Sequence, residues 1–410
     1  GDAPGSVVMT LRPTRALDPD TTEKALQAVL AHHDGLRLAF NVAQEAHGAP
    51  LSEHQALWQK EPVLWLAAVQ DPAQLDALAR QASASLDVHR GILVRAVLAT
   101  LADGSQRLLL VNHALAMDEA SRDIVLQDLR LACEQLDAGQ PVALPAKSTS
   151  VQSWAYSVHA SLEDAPSALI HWQKALAGIS HELVGSPREA GAPADSATFG
   201  TWLDIDLTRR LTEQAAAAYR AEPGDLLLVA LTRVLARWTG QDRVFLGVQA
   251  DTRRQAGSGV DLGRTVGCLD YPFPVVLDID KTTLDGAIKG LKQQLRTAAD
   301  RRLSFAALRY LGDEASRETL AALPVPQCSF SYRKALANVL FEPLKSGEGR
   351  ESSCGNGLSV DARVWPEGLR IDWRFSSRRF SESTIQGLAE AFHLELLALI
   401  EHCTLPGVAG

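Results

Sequence analysis

The sequence predicts an α/β fold of mixed α+β character, built as two lobes, on three observations. The chain has 410 residues, which is long for one hydrophobic core, so two domains are the expectation. Strand-like and helix-like stretches alternate in both halves instead of segregating. The stretch GSPREAGAPADSA at 185–197 reads as an exposed connection. The boundary therefore falls within 165–200, giving lobes 1–170 and 171–410.

The elements follow in order. VVMTLRP near the start has strand character. Asp18 and Pro19 then open a helix with Ala25, Leu26, Val29 and Leu30 at helical spacing. It ends near His32-His33-Asp34-Gly35, and Leu36 to Phe40 alternates like a strand. Residues 71–86 form an amphipathic helix pattern. Ile92–Leu101 and Arg107–Asn112 are apolar runs split by Ala102-Asp103-Gly104-Ser105, an antiparallel hairpin signal. The second run enters NHALAMDE (112–119), where Asp118 and Ser121 are capping candidates for a helix carrying Ile124, Val125, Leu129 and Leu131. A proline-bearing loop follows, then a helix over 151–178.

The second half repeats this style. A strand over 201–205 leads to a helix over 207–219, and Glu222-Pro223-Gly224-Asp225 starts a strongly apolar helix through Trp238. Strands are expected at 244–248, 272–279, 328–332 and 369–375. Ser381 caps a last helix with Ile385, Leu388, Phe392, Leu396 and Leu399 on one face.

Composition excludes several classes. Apolar residues make up 46% and charged residues 22%, which describes a globular chain. A net charge of -9 argues against nucleic-acid binding. No apolar run reaches the roughly 18 residues of a membrane span, and no secretory signal is visible. The five cysteines form no CxxC pair, so reduced thiols in a cytoplasmic protein are expected. Phosphate loops, HExxH metal sites and GxSxG elbows are absent from the sequence.

QRLLLVNHALAMDEASRDIVLQDL (106–129) resembles the core of the condensation and epimerization superfamily of nonribosomal peptide synthetases, whose HHxxxDG motif lies between a strand and a helix. On this match His113 is the first histidine. Ala114 stands at the second, Asp118 at the aspartate and Glu119 at the glycine. HHDGLRLAF (32–40), GDLLLVALTRVLARWTG (224–240) and RTVGCLDYPFPVVLDI (264–279) resemble further family segments in the right order. LSFAALRYL (303–311), CSFSY (328–332), ALPAKSTSVQSWA (143–155) and DARVWPEGLRIDWRFS (361–376) match the epimerization branch better than the condensing one. The resemblance implies two chloramphenicol-acetyltransferase-like lobes in a V-shaped pseudo-dimer, with a tunnel for a carrier protein's phosphopantetheine arm. It implies no cofactor of the chain's own. The family's usual N-terminal helix is mostly missing, which points to a chain cut from a longer synthetase.

In active members the second histidine handles the reacting proton, a task suited to imidazole because its pKa lies near working pH. A methyl group cannot accept a proton, so Ala114 removes that chemistry. The epimerization branch's glutamate aligns with Gln249, an amide without useful basicity, and its tyrosine with Phe273. Glu119 adds a side chain where the family has glycine; it reads as a first-turn acidic residue, with replacement acid as the alternative. Asp118 is expected to form a buried ion pair with Arg253 that holds the lobe junction. His113 reads as a packed histidine, His32-His33 as solvated or capping, and Cys268 as a buried structural thiol. Arg253-Arg254 and Arg378-Arg379 could receive a phosphate or an acidic partner, with plain solvation as the commoner reading of such pairs.

The resemblance is nearest in kind to the X-domain of glycopeptide-antibiotic synthetases, whose motif is also degenerate. It implies a non-catalytic module that recruits haem-thiolate oxygenases to a peptide held on the adjacent peptidyl carrier protein. The alternative is a condensation or epimerization enzyme acting on carrier-bound peptidyl thioesters. Its motif would then be unusual by nature, or altered on purpose from histidine at position 114.

Overall fold

The computed structural model describes residues 5–40, 62–71, 73–179, 196–250, 253, 260–299, 302–334, 340–344 and 357–405. The strands are β1 (Ser6–Pro13), β2 (Leu64–Val69), β3 (Val94–Leu101), β4 (Gln106–His113), β5 (Ser196–Asp204), β6 (Arg243–Ala250), β7 (Tyr271–Asp278), β8 (Cys328–Lys334), β9 (Phe341–Pro343), β10 (Leu358–Trp365) and β11 (Gly368–Ser376). They form a five-stranded sheet, β2-β3-β4-β1-β9, and a six-stranded sheet, β5-β11-β10-β8-β6-β7. The mixed α/β reading holds.

Residues cluster into two compact units, neither continuous in sequence. The first comprises Gly1–Ser157, Asp251–Asp270 and Leu336–Glu351; the second comprises Val158–Ala250, Tyr271–Ala335 and Ser352–Gly410. A cut between 170 and 171 therefore differs in three places. Residues 158–170 go with the second unit, while 251–270 and 336–351 go with the first. For 336–351 the physical reason is strand pairing, β9 forming the first sheet's edge with Pro13 opposite Phe341, and 251–270 is held by the bonds of Arg253, Leu269 and Asp270 to Asp118.

In the first unit, β3 and β4 pair antiparallel through a turn at Gly104 (φ +80°). Both are central strands, so both faces are covered and their apolar residues run almost without alternation. The helix Pro19–His32 starts on the Asp18 side chain, which accepts from the Thr21 N–H, with proline in the first turn. It packs with the helix Glu119–Asp137 over a core that includes Leu26, Val29, Leu98, Leu110 and Leu129.

Three local expectations change. Residues 34–37 form a 3₁₀ turn rather than the start of a strand. Arg37 Nε donates to the Leu30 carbonyl and folds the turn back on the preceding helix. Gly35 lies under the Val266 carbonyl, where a Cβ would sit 2.1 Å from the oxygen. The single helix over 151–178 is instead Val151–Ala160 and Ala165–Leu176, joined by a 3₁₀ turn; Pro166 lacks the N–H that continuity needs. The connection at 185–197 lies outside the described residues up to 195, and its last two residues begin β5.

In the second unit, the helix Pro223–Thr239 is buried from Leu226 to Ala236, which explains its near-continuous apolar sequence. It packs with the C-terminal helix Glu382–Thr404, capped by Ser381. Both lie against one face of the six-stranded sheet, where Leu203, Phe330, Val360, Ile371 and Trp373 point inward. Among the described residues, no helix is long and apolar enough to cross a membrane.

Candidate functional site

β4 delivers NHALAMDE into a short turn, and Asp118 caps the next helix by accepting from the Ser121 N–H at 2.8 Å. His113 ends the strand. Its Nδ1 accepts from the Leu115 N–H at 3.2 Å, which leaves the ring proton on Nε2 in the neutral form. Burial lowers its pKa. On the other side the ring meets Gly5, where a Cβ would sit 3.1 Å from Nε2. His113 is thus a packed histidine held in one tautomer. Ala114 begins the turn and donates its backbone N–H to the Gly5 carbonyl. Its methyl side chain offers no group for proton transfer. Glu119 occupies the first turn of the helix, where a negative charge suits the helix dipole.

Asp118 is the centre of a buried network. Arg253 donates from Nη1 to Oδ2 at 2.9 Å and from Nη2 to Oδ1 at 3.0 Å, with side-chain exposures of 6% and 5%. Oδ2 also accepts from the backbone N–H groups of Leu269 and Asp270. Arg253 reaches Ser121 Oγ and the Thr265 carbonyl as well. Ser121 in turn donates to the Gly267 carbonyl and accepts from the Gly267 N–H. Burial pushes the Asp118 carboxyl up, but the Arg253 charge and the convergent N–H donors outweigh it and hold the pKa below the usual value. Both partners belong to the first unit. What the pair ties down is Arg253 and the 260–270 segment against the helix Glu119–Asp137.

Gln249 and Phe273 lie on neighbouring strands of the second unit but on opposite faces. Phe273 is opposite Val248 in the β6–β7 register, and Gln249 is opposite Pro272. Phe273 packs into the core with Leu246, Val275 and Leu277. Because strand side chains alternate, Gln249 points to the other face, so the two do not line one wall.

Cys268 is exposed, correcting the expectation of a buried thiol. Local desolvation of its sulfur, with the Asp118 and Asp270 carboxylates nearby, pushes its pKa up to about 11. The reactive thiolate is therefore scarce at neutral pH. Its modification by an aromatic disulfide at pH 7 should run about 100-fold slower than for free cysteine. Stopped-flow absorbance on a variant that keeps Cys268 as its one cysteine measures this; a rate equal to free cysteine would show that neither desolvation nor the neighbouring carboxylates act on the thiol.

A second network was hidden in the sequence. His33 is buried, and its Nε2 is 2.7 Å from Asp128 Oδ2, with side-chain exposures of 4% and 2%. Arg264 holds the other oxygen of Asp128. His33 caps the C-terminus of the first helix, as expected, with its backbone N–H on the Val29 carbonyl, but its side chain is an internal partner and not solvated. His32 is half-buried and contacts the Pro145 carbonyl through Nε2; burial and the neighbouring His33 lower its pKa. Candidate ligand atoms of His32, His33 and Asp128 lie within 4.8 Å of one another. However, both Asp128 oxygens are engaged, and the Arg264 guanidinium would repel a metal cation. The signal available in sequence was HHDGLR together with an aspartate inside an apolar helix. Of the basic pairs, Arg379 donates to Gln327 Oε1, while Arg254 lies outside the described residues.

Comparison with known proteins fits this geometry. The family model of the condensation domain matches residues 6–407. The chain is 30% identical over 428 aligned residues to a linear gramicidin synthase of Brevibacillus parabrevis, covering 99% of this chain and 8% of that protein. It is 28% identical to surfactin synthase subunit 1 of Bacillus subtilis (strain 168), covering 96% of this chain and 11% of that protein. The chain thus spans a small fraction of the curated relatives it matches. Among solved structures, the epimerization domain from the third module of tyrocidine synthetase B superposes with a TM-score of 0.83 at 24% identity, covering 97% of this chain and 93% of that one. The X-domain in complex with OxyB from teicoplanin biosynthesis gives 0.69 at 22% identity, covering 98% and 88%.

Proposed function

The chain belongs to the condensation-domain family, and we propose that it is a non-catalytic member, a domain of a nonribosomal peptide synthetase that recruits a haem-thiolate oxygenase to the peptide held on an adjacent carrier protein. The observation that carries this reading is the state of the motif. Its architectural half is present: Asp118 caps its helix and binds Arg253 through two hydrogen bonds. Its chemical half is missing: Ala114 has no proton acceptor, His113 is committed to local packing, and Phe273 lies in the hydrophobic core. A scaffold kept while its base is absent suits binding better than turnover. The fold is shared with a domain solved in complex with an oxygenase, which makes that partner class a reasonable first probe.

Calorimetry of the purified domain against the haem-thiolate oxygenases encoded beside its synthetase tests the reading. The expected result is a one-to-one complex with a dissociation constant of about 1 μM or tighter, about 8 kcal/mol of binding free energy. Absence of a complex with every such oxygenase removes it. The alternative, an epimerization or condensation enzyme, draws on the higher TM-score to the epimerization domain.

A further inference from the structure

The five-stranded sheet begins at β2, which pairs with β3 in parallel, Leu64 opposite Ala96 through Val69 opposite Leu101. In a parallel pair, alternate residues of a strand turn both their N–H and C=O groups to the partner. The Ala96 N–H donates to the Val63 carbonyl at 3.0 Å, which fixes the phase. Val63, Trp65, Ala67 and Val69 therefore bond towards β3. Leu64, Leu66 and Ala68 turn their backbone groups outward.

Side chains from the helices Pro19–His32 and Ala73–Ala84 close the two ends of this outer edge. The Leu64 N–H donates to Glu23 Oε2 at 2.7 Å, and the Gln70 N–H donates to Gln74 Oε1 at 2.8 Å. Between them, among the described residues, nothing pairs with the N–H and C=O groups of Leu66 and Ala68. Both residues are exposed, Leu66 to 63%. Sheet edges are usually blunted by proline, charge or a bulge. β7, at an edge of the other sheet, carries Pro272 and Pro274. The β2 stretch LWLAAV has no proline and no charge, and its register with β3 is unbroken.

We propose that this edge pairs with itself: a second copy of the chain adds its own β2 antiparallel, about a two-fold axis at Ala67. In that register Leu66 lies opposite Ala68 of the second copy, and Ala68 opposite its Leu66. Each of these facing pairs exchanges both N–H···O bonds, as hydrogen-bonded antiparallel pairs do. Every outward group of the two residues then has a partner. An axis at Leu66 would instead call on the Leu64 N–H, which Glu23 already holds. The exposed Leu66 side chain meets a small one, and Ala67 meets Ala67, so no charge or bulk is opposed within the window. Glu23 and Asp71 flank the window, and each accepts N–H groups of its own copy. The edge is thus its own complement in hydrogen bonding, shape and charge, which is what a two-fold interface requires and a foreign strand does not. Self-pairing does not depend on oxygenase recruitment, so either can fail alone.

Sedimentation equilibrium of the whole chain, from about 5 to about 500 μM, tests the pairing. So short a contact is small, and weak dimerisation is expected, with a dissociation constant of about 100 μM. Leu66→Lys charges the edge, and Ala68→Pro removes an N–H that the fold does not use. Each should weaken dimerisation at least tenfold. Leu394→Lys, which charges a leucine 67% exposed in the second unit, should associate as the parent does. Circular dichroism confirms folding of each variant. If L66K or A68P does not fold, a disulfide decides. Facing residues that are not hydrogen-bonded to each other come close enough to bridge. A67C/C268S should therefore give a disulfide-linked dimer under oxidised glutathione, and C268S alone should not. A monomer at every concentration overturns the proposal and leaves the edge to a strand of another protein. It is also overturned by a dimer that L66K and A68P leave unchanged, by equal weakening in L394K, or by no more crosslinking in A67C/C268S than in C268S.

Discussion

Asp118→Ala should lower the unfolding free energy by about 3–5 kcal/mol, the usual cost of stranding one member of a buried ion pair. Arg253, with its side chain 6% exposed, would lose its bidentate carboxylate and keep the more distant Asp270, 3.9 Å away. The backbone N–H groups of Leu269 and Asp270 would lose an acceptor as well. Urea unfolding followed by fluorescence measures the change. A loss under 1 kcal/mol would mean that solvent reaches Arg253. The double variant D118L/R253M should recover only part of the loss, because it removes the stranded Arg253 charge but also takes that cation away from the buried Asp270 carboxylate, 3.9 Å from it. The pH dependence has a definite sign. The Asp118 carboxyl titrates below its ordinary value in the folded state. Its contribution is therefore fully present above the unfolded carboxylate pKa of about 3.9 and is lost as pH falls through the lower folded value. Asp118→Asn should remove this part of the acid limb of the stability profile.

Ala114→His should not make an enzyme. General acid–base catalysis typically contributes about 10² to 10⁴-fold. On a carrier-bound peptidyl thioester in deuterated water, the parent chain should give no α-proton exchange above the carrier alone, and A114H less than a tenfold gain. Restoring one imidazole leaves Gln249 as an amide and Phe273 in the core. A gain of 100-fold or more, or amide formation with an acceptor thioester, would identify the chain as an enzyme altered at one position. That result would displace the non-catalytic reading while leaving the family assignment untouched.

Much of this architecture could be read in the sequence wherever its cause is local. Asp18, Asp118 and Ser381 announce their helices because a side-chain acceptor must meet an unpaired N–H within three residues. The β3–β4 hairpin follows from two apolar runs and a turn containing Gly104. The Asp118–Arg253 pair was reached by matching motifs, since 135 residues separate the partners. Other features depend on distant partners that no local pattern names. His33 looks like a polar helix end until Asp128 and Arg264 are brought to it. Gln249 and Phe273 look like neighbours in an alignment, yet a one-residue offset in register puts them on opposite faces. β2 and β10 escaped notice because their pairing partners, β3 in one case and β8 and β11 in the other, define them better than their own composition does.

The pairing of Pro13 with Phe341 has a consequence for synthesis. A ribosome adding roughly 5–20 residues per second needs tens of seconds after making β1 before it makes β9. Throughout that interval one edge of the first sheet has no partner strand, and an open edge invites pairing with other chains. A fragment ending before residue 341 would leave Leu11–Pro13 of β1, in place of the short β9, as the edge of the sheet.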